Sequence, residues 1–353
     1  MWPITTITER TSIQFPIIQA PMAGGATTPE LVAAVSNAGG LGSLGAGYMQ
    51  APALKAAITR IRELTNKPFS VNLFIPEKHQ AKASQINQMC HWVEAACPEL
   101  KIKLSPVTPP YAPSFDEQMQ VILEENVPVF SFTFGILTDE WIEKLKKKGI
   151  YLIGTATTLT EALLLEAKQI DAIVAQGSEA GGHRGTFIGS AEDALVSINL
   201  LLEELQKNIK IPVIAAGGIM DGKGIIRALT SGAQAVQMGT VFLSCHESGI
   251  HPRYKEALLK LTEDRTTLTR VFSGKMARGI RNKFIERMQA YQDNLLDYPV
   301  QNALTRPMRN DAEKKGNVEF MSMWAGQSAH LSKACSASEL LNTLINDVNK
   351  KIE

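Results

Sequence analysis

The sequence predicts an α/β fold of about eight parallel strands joined by helices, with a closed (β/α)8 barrel favoured over an open doubly wound sheet. From residue 16 onward, short β-branched runs alternate without a break with longer amphipathic stretches, the pattern of parallel strands with helical crossovers. The number of runs is enough to close a barrel, although periodicity alone does not separate a barrel from an open sheet. The loops favour the barrel. Glycine clusters follow at least three different strands, at Ala23-Gly24-Gly25, at 177–185 and at Gly217-Gly218. A barrel gathers functional loops at the carboxyl ends of many strands, whereas an open sheet concentrates them at one switch point.

The first strand reads as residues 16–22, and Thr28-Pro29-Glu30 opens a helix through Val35. The threonine oxygen accepts a free first-turn N–H, and proline is tolerated where the helix needs no donor. Asn37-Ala38-Gly39-Gly40 stops that helix. Further strands are predicted at 41–45, 69–75, 127–134, 150–155, 172–176, 213–216 and 235–238, and helices at 53–64, 139–148, 160–168, 194–206 and 223–230. The stretch 79–125 is long for one crossover and reads as an insertion after the third strand. The expected organisation is a barrel domain over 1–265, followed by a C-terminal segment of helices and loops, 266–353, that completes the pocket.

Hydrophobic residues make up 44% and charged residues 20% of the 353, ordinary globular usage with enough apolar area for a sizeable core. Lys+Arg number 36 against 35 Asp+Glu, and the net charge of +1 offers no field to attract nucleic acid or an anionic membrane. No apolar run reaches the roughly 18–20 residues that span a bilayer, and Met1-Trp2-Pro3-Ile4-Thr5-Thr6 lacks the basic-then-apolar order of a signal peptide. A cytoplasmic protein without nucleic-acid or membrane partners is expected. Cys90, Cys97, Cys245 and Cys335 form no C-x-x-C pair and are expected to stay reduced. Neither they nor Cys245-His246 with His251 have the spacing of a metal site.

Gly40-Leu41-Gly42-Ser43-Leu44-Gly45 matches G-x-G-x-x-G, but here a helix precedes the glycines and an extended segment includes them. A dinucleotide fingerprint needs the reverse context, so the segment reads as a tight helix-to-strand turn. No G-x-S-x-G elbow supports serine hydrolysis. The most informative segment is Ala175-Gln176-Gly177-Ser178-Glu179-Ala180-Gly181-Gly182-His183-Arg184-Gly185. Its glycines let backbone approach a ligand closely, and His183 among them can act as a general base or donate a hydrogen bond to a developing anion. Two strand-plus-glycine units, 212–222 and 235–240, follow. The loops after the last two strands of a barrel commonly hold a phosphate, so a phosphate-bearing cofactor is expected there. Met321, Met323 and Trp324 read as packing residues.

These segments, in this order, resemble the flavin-dependent nitronate monooxygenase family, formerly called 2-nitropropane dioxygenases, and in particular its class I members. The resemblance runs over residues 13–330. Its strongest pieces are Gln19-Ala20-Pro21-Met22-Ala23, Asn72-Leu73-Phe74, 176–185, 215–219, Gln237-Met238-Gly239-Thr240, Ser273-Gly274-Lys275-Met276-Ala277-Arg278 with Asn282, and Trp324-Ala325-Gly326-Gln327. It implies an FMN-binding TIM barrel with an added C-terminal segment. It further implies that Ala20, Pro21, Met22, Ala23, Asn72, Gln176 and Gly181 line the flavin ring and ribityl chain. Gly217, Gly218, Gly239 and Thr240 would hold the phosphate, with Gln237 and Met238 alongside. His183 would face flavin and substrate as the catalytic residue, and Tyr298 would reach the substrate pocket. No metal is implied, and Arg278 receives no role.

The reaction so implied is oxidation of an alkyl nitronate, propionate 3-nitronate first, by O2 to a carbonyl compound and nitrite. In the family it passes through a flavin semiquinone and superoxide and consumes no nicotinamide. The implied partners are the nitronate and O2, with homodimer formation left open. One departure bears on substrate preference: many class I members carry a histidine before the Phe-Gly that ends the fourth strand, where this chain has Thr133 in Phe132-Thr133-Phe134-Gly135. The alternative on the same fold is a nicotinamide-consuming enzyme, an FMN-dependent enoyl-acyl-carrier-protein reductase or an NAD(P)H-dependent flavin reductase. The former also carries a Glu-Ala-Gly-Gly-His segment.

Overall fold

Nine strands occur in the first 240 residues of the computed structural model, which describes residues 2–352: β1 (Ile17–Gln19), β2 (Gly42–Gly45), β3 (Phe69–Phe74), β4 (Val129–Thr133), β5 (Tyr151–Ala156), β6 (Ala172–Gln176), a two-residue outer strand β7 (Gly182–His183), β8 (Val213–Ala216) and β9 (Ala235–Met238). All but β7 form one parallel sheet in the order β1-β9-β8-β6-β5-β4-β3-β2. The two ends of that sheet meet. Ile18 bridges to Leu41, Gln19 N–H donates to the Leu41 carbonyl at 2.9 Å, and Leu41 N–H donates to the Ile17 carbonyl at 2.9 Å. The sheet is therefore a TIM barrel, sealed between β1 and the start of β2.

The strands are apolar on both faces because both are covered. Ile18, Leu41, Ile153, Val174 and Ile214 fill the barrel, and Ile7 and Ile13 join them beside Val129, Tyr151, Ala172 and Ala235, at or next to the starts of their strands. Val71, Phe130, Phe132, Leu152, Ile173 and Val236 belong to the outer core under the helices. Local chemistry agrees with the topology: the helix Pro29–Asn37 has proline in its first turn, and the Thr28 hydroxyl accepts from Leu31 N–H at 3.0 Å.

Among the boundaries that differ from the sequence expectation, three have a clear physical reason. The strand expected at 16–22 ends at Gln19, since residues 20–23 turn away into a loop and Pro21 has no N–H to give a ladder. The strand expected at 127–134 ends at Thr133, because Phe134 takes a left-handed backbone with φ of 77°. The helix expected from 194 starts at Ile198: the Ala194 carbonyl is taken by Arg184, and the Ile198 N–H by the Glu179 carboxylate.

Of the segment 79–125, the last helix, Phe115–Glu124, is the barrel's own crossover between β3 and β4, with Met119 and Ile122 in the main core. The earlier helix Ala83–Ala96 instead buries Met89, Cys90 and Val93 in a second core with Phe272, Phe284, Met308 and Phe320 of the C-terminal region. That region contains the hairpin β10 (Thr266–Thr269) and β11 (Ala277–Ile280). β11 also pairs antiparallel with β7, matching Ala277 to His183 and Arg278 to Gly182. The final helix Ala337–Ile352 returns to the barrel, packing Leu341, Leu344 and Val348 into the main core. Among the described residues no helix is long and apolar enough to cross a membrane.

The glycines of 40–45 serve close packing. A Cβ on Gly42 would lie 2.0 Å from the Val32 carbonyl oxygen, and one on Gly45 would lie 2.5 Å from Ala23 N and 2.6 Å from Met22 C. Backbone atoms cannot rotate aside, so Gly45→Ala must displace the loop after β1. A loss of about 1–3 kcal/mol is expected, read as a lower urea midpoint at unchanged m. A wild-type midpoint would sink the close-approach reading.

Candidate active site

The carboxyl ends of the strands open into a cavity of about 470 Å³. Most of the residues singled out in the sequence converge on it: Ala20, Pro21, Met22 and Ala23 after β1, Asn72 on β3, Gln176 on β6, Gly181 before β7, Gly217 and Gly218 after β8, and Gln237, Met238, Gly239 and Thr240 at the end of β9. His183 and Thr133 line it as well.

Each wall is fixed from behind. Under the first loop, the buried Gln19 amide accepts from Ser43 N–H at 3.0 Å and donates to the Ser43 carbonyl at 3.2 Å. Asn72 Nδ2 donates to Ser131 Oγ at 2.9 Å, which leaves its Oδ1 to face the cavity. Gln176 staples the glycine loop, donating to the His183 carbonyl at 3.0 Å and accepting from Gly185 N–H at 2.8 Å. Gly217 and Gly218 have φ of 127° and 67°, a backbone that side-chain-bearing residues rarely adopt, and so present bare main chain. The C-terminal segment crosses over the loop: a Cβ on Gly181 would lie 2.5 Å from Gly326 N, and Gly326 N–H donates to Thr240 Oγ1 at 2.9 Å.

One buried charge holds the glycine loop in shape and a second holds the segment that follows it. Arg184 is fully buried and donates to the carbonyls of Gly177 at 2.6 Å, Gln176 at 3.0 Å and Ala194 at 3.1 Å. Glu161, also fully buried, accepts from the N–H groups of Thr157 at 2.7 Å and Ile188 at 2.9 Å. Arg278 acquires a role here: its Nε donates to the Ser178 carbonyl at 3.1 Å, so the hairpin braces the loop.

His183 lies on β7, a strand rather than the open loop that the glycines suggest. Its Nε2 is 2.7 Å from Ser273 Oγ, and Ser273 Oγ is 3.1 Å from the Lys275 carbonyl. A hydroxyl carries one proton, so the arrangement that satisfies all three groups runs from Nε2–H to Ser273 and from Ser273 O–H to Lys275. Nδ1 is then a free acceptor. The ring packs against Trp324 at 5.2 Å, Phe134 at 5.8 Å and Tyr298 at 6.2 Å between centroids. Burial among these rings, then the charges of Lys275 and Arg309, draw its pKa from 6.5 down to about 3. The imidazole is therefore neutral at neutral pH. Lys275 itself is tied down, 2.6 Å from Glu77 Oε1 and 4.6 Å over the Phe134 ring.

Tyr298 stands one layer back from its expected place. Its ring supports Phe134, 5.6 Å away, and lines a separate cavity of about 210 Å³ under residues 109–113. The adjoining wall of the main cavity is made by Phe74, Phe134 and Tyr48. Trp324 packs as expected and also faces the cavity. Sequence reasoning missed Tyr48, Arg306 and Arg309, which line the cavity from a loop and a C-terminal helix with no motif to mark them.

The family model for nitronate monooxygenase matches residues 5–347. A probable nitronate monooxygenase of Staphylococcus saprophyticus is 43% identical over 348 residues, 98% of each chain. Among solved structures, the nitroalkane oxidase from Streptomyces ansochromogenes superposes with a TM-score of 0.90 at 38% identity, covering 98% of both chains. FabK from Thermotoga maritima does so with a TM-score of 0.78 at 32% identity, covering 99% of this chain and 97% of that one.

Proposed function

The chain belongs to the nitronate monooxygenase family, and from that premise we propose that it oxidises alkyl nitronates with O2 to a carbonyl compound and nitrite, using FMN. The residues present fit that cofactor. Bare glycine backbone at Gly217, Gly218 and Gly239 leaves room for a phosphate, Ala20, Pro21 and Met22 give an apolar bed for a flat ring, and the open Oδ1 of Asn72 suits a polar ring edge. Gln176, Gly181, Ala23, Gln237, Met238 and Thr240 complete the set that would hold it. When bound, FMN supplies the electron acceptor and the route to O2.

The observation that carries the reading is one cavity at the strand ends that unites a bare glycine cradle, an apolar loop after β1 and the His183 ring. A neutral imidazole whose Nε2–H is held by Ser273 presents a base, not a hydrogen-bond donor. His183 takes the α-proton of a neutral nitroalkane at Nδ1, and the nitronate anion so formed beside it stabilises the imidazolium and offsets the burial that lowers its basicity. Trp324 and Phe134 keep water from the site and fix the ring plane. Thr133, whose Oγ1 lies 3.4 Å from Thr155 Oγ1, puts a small hydroxyl pair in the wall. Propionate 3-nitronate is the first substrate to try.

The experiment is O2 uptake, with nitrite assayed at the end, after mixing purified flavin-loaded protein with propionate 3-nitronate and no nicotinamide. Rapid uptake with nitrite is expected. No uptake, with flavin that bleaches quickly under NADH without air, would replace this reading by the nicotinamide-dependent reductase.

A further inference from the structure

We infer that the second cavity, behind Phe74, is the port by which dioxygen enters, and that the Phe74 ring is the partition it passes to reach the reaction site. The inference rests on the reading above in that it takes O2 as a reactant, and it assigns that reactant a way in of its own.

The cavity, of about 210 Å³, lies between the loop after β3 and the segment 109–113. Its outer rim is at the surface, where Pro76, His79, Pro109 and Pro110 are exposed. Its inner end is made by Phe74 with the buried Gly47, Tyr298 and Pro299. Among the described residues, Phe74 alone lines both this cavity and the main one. A glycine seats it: a Cβ at position 47 would lie 2.3 Å from the Phe74 ring, so the ring rests directly on the backbone there. Phe74 in turn stacks on Phe134 at 4.5 Å, and Phe134 meets His183 at 5.8 Å. The Phe74 ring thus stands between a surface-open cavity and the pocket that holds His183.

The chemistry of the lining selects an apolar visitor. Pro76, Pro109, Pro110, Pro113 and Pro299 bring no backbone N–H. The Gln118 amide is spent on the carbonyls of Met49 at 2.7 Å and Ala46 at 3.2 Å, and the Ile75 N–H on the Thr133 carbonyl at 2.9 Å. The hydroxyls of Tyr298 and Tyr48 bond to each other. Glu77, the carboxylate in the lining, is paired with Lys275 at 2.6 Å. An anionic nitronate finds no free donor among these groups, and water finds few partners. A small apolar molecule needs none, and apolar protein cavities of comparable size take up xenon and benzene. With flavin and nitronate in the main cavity, an approach from behind the Phe74 wall lets O2 arrive without displacing either.

The test fills the second cavity and leaves the lining of the first intact. Ala112 lines the second cavity only, from the segment 109–113. Ala112→Trp should block the port, and Ala112→Leu, a smaller filling, keeps the test should the tryptophan variant not fold. Wild-type crystals pressurised with xenon should show it in the second cavity, and crystals of the filled variant should not. Bound flavin reduced with dithionite and mixed with O2 in a stopped flow should reoxidise severalfold more slowly in the variants, more so with tryptophan than with leucine. The kcat/KM for O2 at saturating propionate 3-nitronate should fall by the same factor, while kcat/KM for the nitronate and the flavin content keep their wild-type values. Xenon absent from the wild-type cavity, or reoxidation as fast in the filled variants as in wild type, overturns the port. The dithionite experiment needs no nitronate: if wild type oxidises no nitronate and the filled variants still slow reoxidation, the port stands and the nitronate reading falls.

Discussion

Replacing His183 by alanine is expected to leave the protein flavin-loaded and to cut its turnover of a neutral nitroalkane by about 10²–10⁴-fold, the usual worth of a positioned general base. Flavin should be retained because the loop around His183 is held by other groups: Gln176 bonds the His183 backbone carbonyl, and Arg184 ties down the loop carbonyls. A nitronate supplied ready-made needs no proton removed, so its oxidation should fall much less than that of the nitroalkane. Stopped-flow reduction of the flavin without oxygen, run with both substrates on both proteins, reads the difference directly. Equal losses for the two would show that His183 positions substrate and does not move the proton.

The same geometry fixes a pH dependence. With the folded pKa near 3 against 6.5 for a free imidazole, His183 stays unprotonated down to strongly acid solution. Nitroalkane turnover should therefore show no acid limb near pH 6.5. For stability the sign is set by proton uptake: between about 6.5 and 3 the unfolded chain binds a proton at this residue and the folded one does not. Stability must then decline as pH falls through that window, and His183→Ala should flatten part of the decline in urea titrations.

How much of this was legible in the sequence depends on how local the cause is. Ala172–Gln176, Val213–Ala216 and Ala235–Met238 end where a polar or glycine residue breaks an apolar run, so local pattern places their limits. The glycines flanking His183 marked the site for the same reason. Closure of the barrel through Ile18 and Leu41 depends on the tilt of the whole sheet, which no short window contains. The end of β4 was missed because Phe134 occupies a left-handed backbone that glycine or asparagine usually fills.

The site follows the same division. His183 was found from its neighbours in sequence, but its partner Ser273 lies 90 residues on, so neither the tautomer nor the strand pairing of β7 with β11 could be foreseen. Arg309 was invisible for another reason. On an amphipathic helix an arginine reads as a solvated face, and only the fold shows this one turned into a cavity. Tyr298 illustrates the converse: the family resemblance placed it in the substrate pocket, and the structure packs its ring on Phe134 and His183, which line the cavity.

Arg184→Met should be the most damaging substitution to stability, at about 3 kcal/mol or more. The side chain is fully buried, and its guanidinium satisfies three carbonyls, those of Gln176, Gly177 and Ala194, which span the loop. Methionine is nearly as large and donates nothing, so three carbonyls lose the guanidinium at once, and Gly177 keeps only the Ala180 N–H at 3.1 Å. Arg184→Lys should recover little. A single ammonium cannot reproduce the planar fork that reaches three separated oxygens. Because the Gln176 and Gly177 carbonyls flank the segment leading to Gly181 and His183, loosening them should release flavin before the barrel unfolds. Urea titration followed separately by flavin fluorescence and by far-ultraviolet circular dichroism tests this: the two transitions coincide in wild type and separate in the variant. Coincident transitions at the wild-type midpoint would mean that the loop is held by Gln176 and the β7–β11 pairing alone, with Arg184 merely accommodated beneath it.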